Sequence, residues 1–226
     1  TRDSYLPSHP VLVRLEFERL KRSDRGRVVH HQVESPYLDP GNAPFSSELP
    51  PIFLGHSMGG LVALDLAIDG LPNGIEALVL SDPNVAVAVD APAIKVMGAK
   101  LLSRILPGLS LDNELDSSLI SRDAAVVEAY DADPLVYSTI TPRWFTEMLK
   151  SQERVVAHAT KYTMPLLMML GEGDVICDWR ASAALARNWS GEVKTIQYPE
   201  LYHEIFNEIE RDQVIGDLVT WLDELK

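Results

Sequence analysis

The 226-residue sequence has a single cysteine, Cys177, which excludes several classes of protein. One thiol cannot form an intrachain disulfide, a cysteine-based zinc site or a Cys-x-x-Cys redox pair. Basic residues are also in the minority, with 20 Lys and Arg against 33 Asp and Glu and a net charge of −13. Because nucleic acids and anionic membranes are bound through clustered positive charge, the composition argues against both as partners.

Long apolar runs are missing as well. The most apolar windows, at residues 78–80 and 166–170, are much shorter than the roughly 20 residues that span a bilayer, so no transmembrane segment is predicted. The length suffices to bury a core without disulfides, as one domain with an insertion or as two small domains. The low cysteine content favours a reducing, cytoplasmic location.

Four short apolar runs predict buried strands of a parallel sheet, because each is bounded by turn-forming or charged residues. These runs are residues 51–54, 77–80, 166–170 and 193–198. Apolar residues at helical spacing predict helices over residues 58–69, 179–189 and 212–225. Strands that alternate with helices indicate an α/β fold with a mostly parallel sheet and helices on both faces.

Residues 83–163 interrupt this alternation. They contain no convincing strand and predict helices over residues 91–106, over 121–132 with Ser121 as its cap, and over 141–162. We interpret this segment as a helical cap inserted into a core formed by residues 49–82 and 164–226. Its apolar side chains are expected to include a face that suits an acyl chain.

Residues 1–48 form an atypical N-terminal segment. Alternating apolar residues over 11–17, followed by a second run over 28–33, predict a β-hairpin. A proline-rich connector then leads to the first predicted strand of the core.

The strongest motif is GHSMG at residues 55–59, between a predicted strand and a predicted helix. It matches Gly-x-Ser-x-Gly, in which the serine occupies a strained strand-to-helix turn with no room for side chains on the glycines. The helix N-terminus supports the negative charge that develops during acyl transfer. These features predict Ser57 as a nucleophile and the backbone N–H of Met58 as the first donor to the oxyanion.

A serine hydroxyl is a weak nucleophile, so the motif requires a histidine base and a carboxylate that orients it. Asp174 follows the third predicted strand and His203 follows the fourth, where α/β sheets collect their site residues. Asp178 and Asp82 remain alternative acids, although Asp178 also fits the N-cap of the helix that begins at residue 179.

Other residues near these motifs have simpler interpretations. His56 precedes the nucleophile and His158 lies in the predicted insertion, so His203 is the preferred base. Cys177 comes three residues after Asp174 and is expected to be a small buried residue rather than a reactive thiol.

These motifs resemble the monoacylglycerol lipase and lysophospholipase branch of the α/β-hydrolase superfamily. The similarity runs from about residue 47 to the C-terminus. It is carried by GHSMGG at 55–60, GEGDVICD at 171–178, YPELYHEIFNE at 198–208, SRD at 121–123 and ADPL at 132–135.

The resemblance implies an α/β-hydrolase fold with a helical cap. It also implies a serine carboxylic-ester hydrolase that acts on monoacylglycerols or similar single-chain lipid esters through an acyl-enzyme intermediate. Ser57, Asp174 and His203 would form the triad, and neither a metal nor an organic cofactor would be needed.

The segment before the GHSMG motif departs from this family pattern. Members carry more chain there, including a His-Gly stretch that supplies the second oxyanion N–H, whereas 56 residues precede Ser57 here and none form His-Gly. The second donor is therefore unknown. The N-terminal part is expected to be shortened, replaced or altered by a change of reading frame. Loss of one donor costs about 3 kcal/mol in activation free energy, which leaves a detectable esterase.

The predicted strand at residues 51–54 would keep an unpaired edge in such a chain. Exposed apolar edges are unfavourable, so we expect a homodimer or larger assembly, or the N-terminal hairpin, to cover it. Two other functions remain open. One is a catalytically weak ligand-binding protein on the same fold, and the other is a thioesterase or amidase, because a fold does not determine the leaving group.

Overall fold

A computed structural model describes residues 52–70, 75–88 and 93–225 of the chain. The predicted hairpin and connector lie outside these residues. In chain order, the helices and strands are β1 (Ile52–His56), α1 (Met58–Asp69), β2 (Ala77–Ser81), α2 (Ala93–Ile105), β3 (Leu111–Asp112), α3 (Ala124–Ala132), β4 (Thr139–Ile140), α4 (Pro142–Ala157), β5 (Leu166–Gly171), α5 (Trp179–Arg187), β6 (Val193–Tyr198) and α6 (Arg211–Glu224). None of these helices has both the length and the apolar character needed to cross a membrane.

Four parallel strands form the main sheet of the described residues, in the order β1-β2-β5-β6. Successive side chains of a strand point to opposite faces, and each face is covered by helices. Leu78 and Leu80 of β2 belong to the apolar cluster that includes Leu64 of α1. Val79, between them, belongs to the cluster that includes Trp221 of α6. The predicted α/β class, with a parallel sheet and helices on both faces, is confirmed.

Most predicted boundaries agree with the structure. The bounds of α1 and β6 are those predicted, and β1, β2 and β5 each extend one or two residues beyond the predicted end. Helix α4 begins after Thr141, whose side chain caps it, and ends at Ala157, where the prediction continued the helix to residue 162. A short 3₁₀ turn, Ala159–Lys161, occupies that remaining stretch.

Residues 83–163 contain α2, α3 and α4, but the prediction that this segment lacks strands is wrong. Strands β3 and β4 pair antiparallel, with Leu111 opposite Ile140 and Asp112 opposite Thr139. A strand of two residues is too short to show hydrophobic alternation, and three of these four residues are exposed. The pairing depends on a contact between residues almost 30 positions apart, which local periodicity does not record.

The predicted serine cap of α3 is also wrong. The helix begins at Ala124, and the Asp123 carboxylate accepts a hydrogen bond from the Ala125 amide at 3.0 Å. Ser121 is buried, and its hydroxyl donates to the carbonyl of Asn207 at 3.2 Å. A long-range contact therefore uses the hydroxyl that the local pattern assigned to the helix.

Candidate active site

Ser57 occupies the turn between β1 and α1, with a backbone φ of 50°. This left-handed conformation is strained for any residue with a side chain. The end of the neighbouring strand β2 holds the turn, because the Ser57 amide donates to the Ser81 carbonyl at 3.0 Å and the Ser57 carbonyl accepts from the Asn84 amide at 2.9 Å. A β-carbon on Gly55 would lie 2.7 Å from the carbonyl oxygen of Gly59, so only glycine fits there.

Ser57, His203 and Asp174 form a continuous hydrogen-bonded series across the ends of β1, β6 and β5. The Ser57 Oγ lies 2.8 Å from His203 Nε2, and His203 Nδ1 lies 2.8 Å from Asp174 Oδ2. A carboxylate accepts hydrogen bonds, so we assign the imidazole hydrogen to Nδ1, which leaves Nε2 to accept from the serine hydroxyl. His203 and Asp174 are 6% and 4% exposed, so water competes little for these bonds.

The loop after β5 directs the Asp174 carboxylate at the histidine. Its Oδ1 accepts from the backbone amides of Ile176 and Cys177 at 2.7 and 3.0 Å, which leaves Oδ2 facing His203. Asp178, one of the alternative acids, instead caps α5, with its side chain accepting from the Arg180 amide at 2.9 Å. Its interpretation as an N-cap is confirmed.

The loop between β5 and α5 (residues 172–178, the acid loop) and the loop between β6 and α6 (residues 199–210, the histidine loop) are packed backbone against backbone. Gly173 donates its amide hydrogen to the Leu201 carbonyl at 2.9 Å. A β-carbon on Gly171 would lie 2.5 Å from the carbonyl oxygen of Tyr202, so glycine permits this close approach. The separation between Asp174 and His203 is therefore set by two loops that touch directly.

Asp82, the other alternative acid, lies at the end of β2 and supports the acid loop. Its Oδ1 accepts from the Gly171 amide at 2.9 Å. Its Oδ2 is buried and has no hydrogen-bond partner in the part of the chain that the structure describes. Burial, and secondarily the charge of Asp174, raise the pKa of Asp82 well above its ordinary value. Both causes favour the neutral, protonated carboxyl of Asp82 over a second negative charge beside Asp174.

His56 lies beside the catalytic histidine candidate, with 4.8 Å between the ring centroids and an angle of 49° between the rings. Burial, with a further contribution from the charge of His203, lowers the pKa of His56 to about 3, although its hydrogen bond to Ser81 opposes the shift. His56 is therefore neutral at physiological pH. Two cations at this separation would repel by roughly 3 kcal/mol at an effective dielectric constant of about 20, so a neutral His56 spares His203 that penalty when it is protonated.

Cys177 lies close to the serine but is not an activated thiol. It is buried, and burial raises its pKa well above the ordinary value; the charges of Asp174 and Asp82 add to this, and a hydrogen bond with Ser57 opposes it. The expectation of a small buried residue is confirmed.

Cys177, Asp174 and His203 are the only group of three potential metal ligands within the described ranges, with ligand atoms within 4.8 Å of one another. Asp174 and His203 lie close together because they are hydrogen-bonded to each other, so their proximity does not by itself indicate a metal site.

Met58 is the first residue of α1, so its amide lies in the first turn of the helix, where no helical carbonyl can accept from it. This position agrees with an amide available to an oxyanion near Ser57. No second donor to the oxyanion is identified among the residues that the structure describes.

An ion pair between Arg122, which is partly exposed, and the buried Glu208 of the histidine loop could not be predicted from local sequence patterns. Glu208 is 0% exposed and pairs with Arg122 at 3.2 Å. No local pattern joins two residues that lie 86 positions apart. The motif SRD, which contains Arg122, was noted only for its family resemblance.

Comparison with known proteins places these motifs in context. A family model described as "Serine aminopeptidase, S33" matches residues 42–210. The monoacylglycerol lipase of Mycolicibacterium smegmatis is 36% identical over 176 residues, which cover 77% of this chain and 62% of that protein. The human monoglyceride lipase is 33% identical over 181 residues, covering 78% of this chain and 59% of that protein. The chain thus spans about three fifths of the length of these curated relatives.

A crystal structure of a monoacylglycerol lipase from Paleococcus ferrophilus matches with a TM-score of 0.72 and 33% identity, over 77% of this chain and 68% of that one. The soluble variant of monoglyceride lipase from Saccharomyces cerevisiae, solved with a substrate analogue, matches with a TM-score of 0.69 and 25% identity, over 78% and 62%. The expected α/β-hydrolase fold and the resemblance to monoacylglycerol lipases are thereby confirmed.

Proposed function

The chain belongs to the serine aminopeptidase S33 family, and on that premise we propose that it is a serine hydrolase that cleaves carboxylic esters of single-chain lipids such as monoacylglycerols. The observation that carries the proposal is the series from Ser57 Oγ through His203 to Asp174, with 2.8 Å at each step. Such a series lets a hydroxyl lose its proton as it attacks a carbonyl carbon.

In the proposed reaction, Ser57 Oγ forms a bond to the ester carbonyl carbon while its proton passes to His203 Nε2. The carbonyl electron pair moves to oxygen, which accepts a hydrogen bond from the Met58 amide. Asp174 keeps the imidazole in the correct tautomer and stabilises its cation. When the carbon–oxygen bond to the alcohol breaks, the alcohol leaves with the proton from His203, and an acyl-enzyme remains.

Water completes the cycle. His203 takes a proton from water as the water oxygen attacks the acyl carbon, and it returns that proton to Ser57 as the acid leaves. His203 therefore becomes a cation twice in each turnover. The neutral state of His56, with its ring centroid 4.8 Å from that of His203, supports both steps because it adds no positive charge there.

The proposed substrate class rests on the relatives and on an apolar surface. The relatives named above are described as lipases of monoacylglycerols. Helix α2 carries large apolar side chains at intervals of three or four residues, which places them on one face. They are Ile94, Met97, Leu101 and Ile105, and each is more than half exposed. An exposed apolar face on the segment predicted as a cap suits an ester with a long acyl chain.

The decisive experiment combines covalent labelling with turnover. We expect a fluorophosphonate probe to label the protein, and p-nitrophenyl esters of increasing chain length to be hydrolysed faster than the acetate. Ser57→Ala should abolish labelling and reduce kcat by about 10³-fold or more. The matched control is Ser190→Ala, which changes an exposed serine and should leave both readouts as in the wild type.

Each departure from that result has its own meaning. Activity that peaks on the acetate and falls with chain length contradicts the lipid ester substrate. Labelling or turnover that survives Ser57→Ala contradicts the assigned nucleophile. A folded protein that binds lipid without labelling or turnover indicates the alternative of a ligand-binding protein.

An amide is the second candidate substrate, because the description of the family names an aminopeptidase. An aminoacyl p-nitroanilide and an acyl thioester, assayed beside the best p-nitrophenyl ester, separate the three leaving groups. We expect the ester to have the highest kcat/KM. A higher value for the anilide or the thioester would reassign the activity.

We also propose that the edge of β1 is covered, by a second copy of the chain or by the N-terminal segment. Among the described residues, β1 pairs with β2 and with no other strand. A homodimer or larger assembly would remove this edge from solvent. A reducing compartment such as the cytoplasm is proposed on the single cysteine alone.

A further inference from the structure

We propose that Glu208 and Arg122 form a clamp that positions His203 for catalysis. Arg122 belongs to the segment predicted as a cap, and Glu208 lies in the histidine loop. The proposal rests on the function proposed above, because it assigns His203 the role of base. Neither residue hydrogen-bonds to His203 in the structure, so both are positioning residues and not catalytic ones.

Glu208 holds the residue directly before His203. Its Oε1 accepts from the Tyr202 amide at 2.9 Å, so the backbone bonded to His203 is attached to a carboxylate that is 0% exposed. The same Oε1 accepts from the amide and the Nε of Arg122, at 3.1 and 3.3 Å. The Oε2 accepts from Arg122 Nε at 3.2 Å and from the Ile209 amide at 3.2 Å. Both carboxylate oxygens are therefore fully used.

The segment that contains Arg122 also holds the residue directly after His203. The Glu204 amide donates to the Ile120 carbonyl at 2.8 Å. The buried hydroxyl of Ser121 donates to the Asn207 carbonyl at 3.2 Å. His203 therefore lies between two anchored neighbours, one held by Glu208 and one held by residues 120–121.

The charges around Arg122 are concentrated on the histidine loop. Besides Glu208, its guanidinium pairs with Glu210 and, at 3.6 Å, with Glu200. Partial burial opposes the charged form of Arg122, but its hydrogen bonds and charge pairing with Glu208 and Glu210 raise its pKa overall. One arginine from the predicted cap thus joins three carboxylates on either side of His203. Glu208 is fully buried, whereas the side chains of Glu210 and Glu200 are 40% and 82% exposed. The pair with Glu208 is therefore the weakly screened one.

The consequence for catalysis follows from distance. The proton moves between Ser57 Oγ and His203 Nε2, which are 2.8 Å apart. A displacement of about 1 Å at a reacting group lowers a rate by about 100-fold. A loop released at Tyr202 would move the imidazole relative to Ser57 while leaving the apolar surfaces of the predicted cap in place. We therefore expect the loss to fall on kcat and not on KM.

The test compares Glu208→Gln and Arg122→Met with a matched control, Arg154→Met. Arg154 also joins two elements through paired carboxylates, Asp65 and Asp69 of α1, at 2.6 and 2.8 Å. Glu208→Gln keeps the shape but removes the charge. Its NH₂ group faces only N–H donors whichever oxygen it replaces, either the Tyr202 and Arg122 amides or Arg122 Nε and the Ile209 amide. We expect each clamp variant to lower kcat about tenfold to a hundredfold with KM within about twofold of wild type. The control should leave kcat unchanged.

A second readout does not depend on turnover. The hydrogen on His203 Nδ1, bonded to Asp174, gives a proton NMR resonance far downfield of the amide region. We expect this resonance to broaden or move upfield in Glu208→Gln and to remain in place in Arg154→Met. If the wild type proves inactive, the proposed function fails, and this resonance still decides whether Glu208 positions the imidazole.

The clamp is refuted by a folded Glu208→Gln variant with wild-type kcat and an unmoved His203 resonance. It is equally refuted if Arg154→Met lowers kcat as much as the clamp variants do, since general destabilisation would then explain both. If Arg122→Met fails to fold, Arg122→Lys provides the second test. A lysine keeps the charge without the planar donor pair, so it should recover kcat only in part.

Discussion

Replacing His56 with asparagine should change how the stability of the protein depends on pH. In the folded state the pKa of His56 is lowered to about 3, whereas an unfolded histidine titrates near 6.5. Between these values the unfolded chain binds more protons than the folded one. Stability therefore falls as the pH drops below the unfolded pKa, and it is fully present above it.

The size of the effect follows from these two values. At pH 8 both states are neutral at this position, so the contribution is near zero. At pH 5 the unfolded histidine is mostly protonated and the folded one is not, which destabilises the protein by about 2 kcal/mol. The full difference, roughly 5 kcal/mol at about 1.4 kcal/mol per pKa unit, would be reached only below pH 3.

The assay is urea unfolding of the wild type and of His56→Asn at several values between pH 8 and pH 5. The difference between the two free energies of unfolding cancels the contributions of the carboxylates and the other histidines, because these groups titrate alike in both proteins. We expect the wild type to lose about 2 kcal/mol relative to the variant over this range, with similar m-values. Parallel curves, with a constant difference between the two proteins, would refute the lowered pKa of His56.

Three further predictions concern the acids and the sheet edge. Asp174→Asn should lower kcat by about 10⁴-fold. Asp178→Ala should leave kcat unchanged and lower the free energy of unfolding by about 1 kcal/mol, because it removes a helix cap. Equal effects of the two variants on kcat would contradict the assignment of Asp174. The pKa of Asp82 is raised, so the contribution of Asp82 to stability should fall as the pH rises above 3.8. Asp82→Asn should therefore become increasingly stable relative to wild type in urea unfolding, and a difference independent of pH would contradict the raised pKa. Sedimentation should detect a dimer or larger assembly if a second copy covers the edge of β1. If the N-terminal segment covers it instead, removal of that segment should promote association. A protein that is monomeric both with and without the segment argues against a covered edge.

Local signals in the sequence predicted most of the fold. The bounds of α1 and β6 could be predicted to the residue because the apolar spacing of α1 ends at Asp69-Gly70 and the strand-forming residues of β6 end at Pro199. The predictions failed where distant contacts decide. The two-residue strands β3 and β4 exist only as a pair, and the Ser121 hydroxyl bonds the distant Asn207 carbonyl instead of capping α3.

The candidate site shows the same division. Ser57 was predictable because its strained turn requires glycines at fixed positions nearby, and a short motif records that requirement. The choice between Asp174 and Asp178 could be argued only by distance from the strand end. In the structure, the side chain of Asp178 turns to cap α5, and that of Asp174 is held toward His203 by two amides.

The sequence by itself determined the main-sheet strands and the helices between them, the turn at Ser57 and the residue types available for acyl transfer, because each depends on neighbours within a few positions. Only the tertiary structure decided the electrostatic state of the site. Burial lowers the pKa of His56 to about 3 and raises that of Asp82, and the fold brings Glu208 beside Arg122, across 86 positions of chain. Desolvation and long-range pairing depend on what surrounds a group in space, and the linear order of residues does not encode that directly.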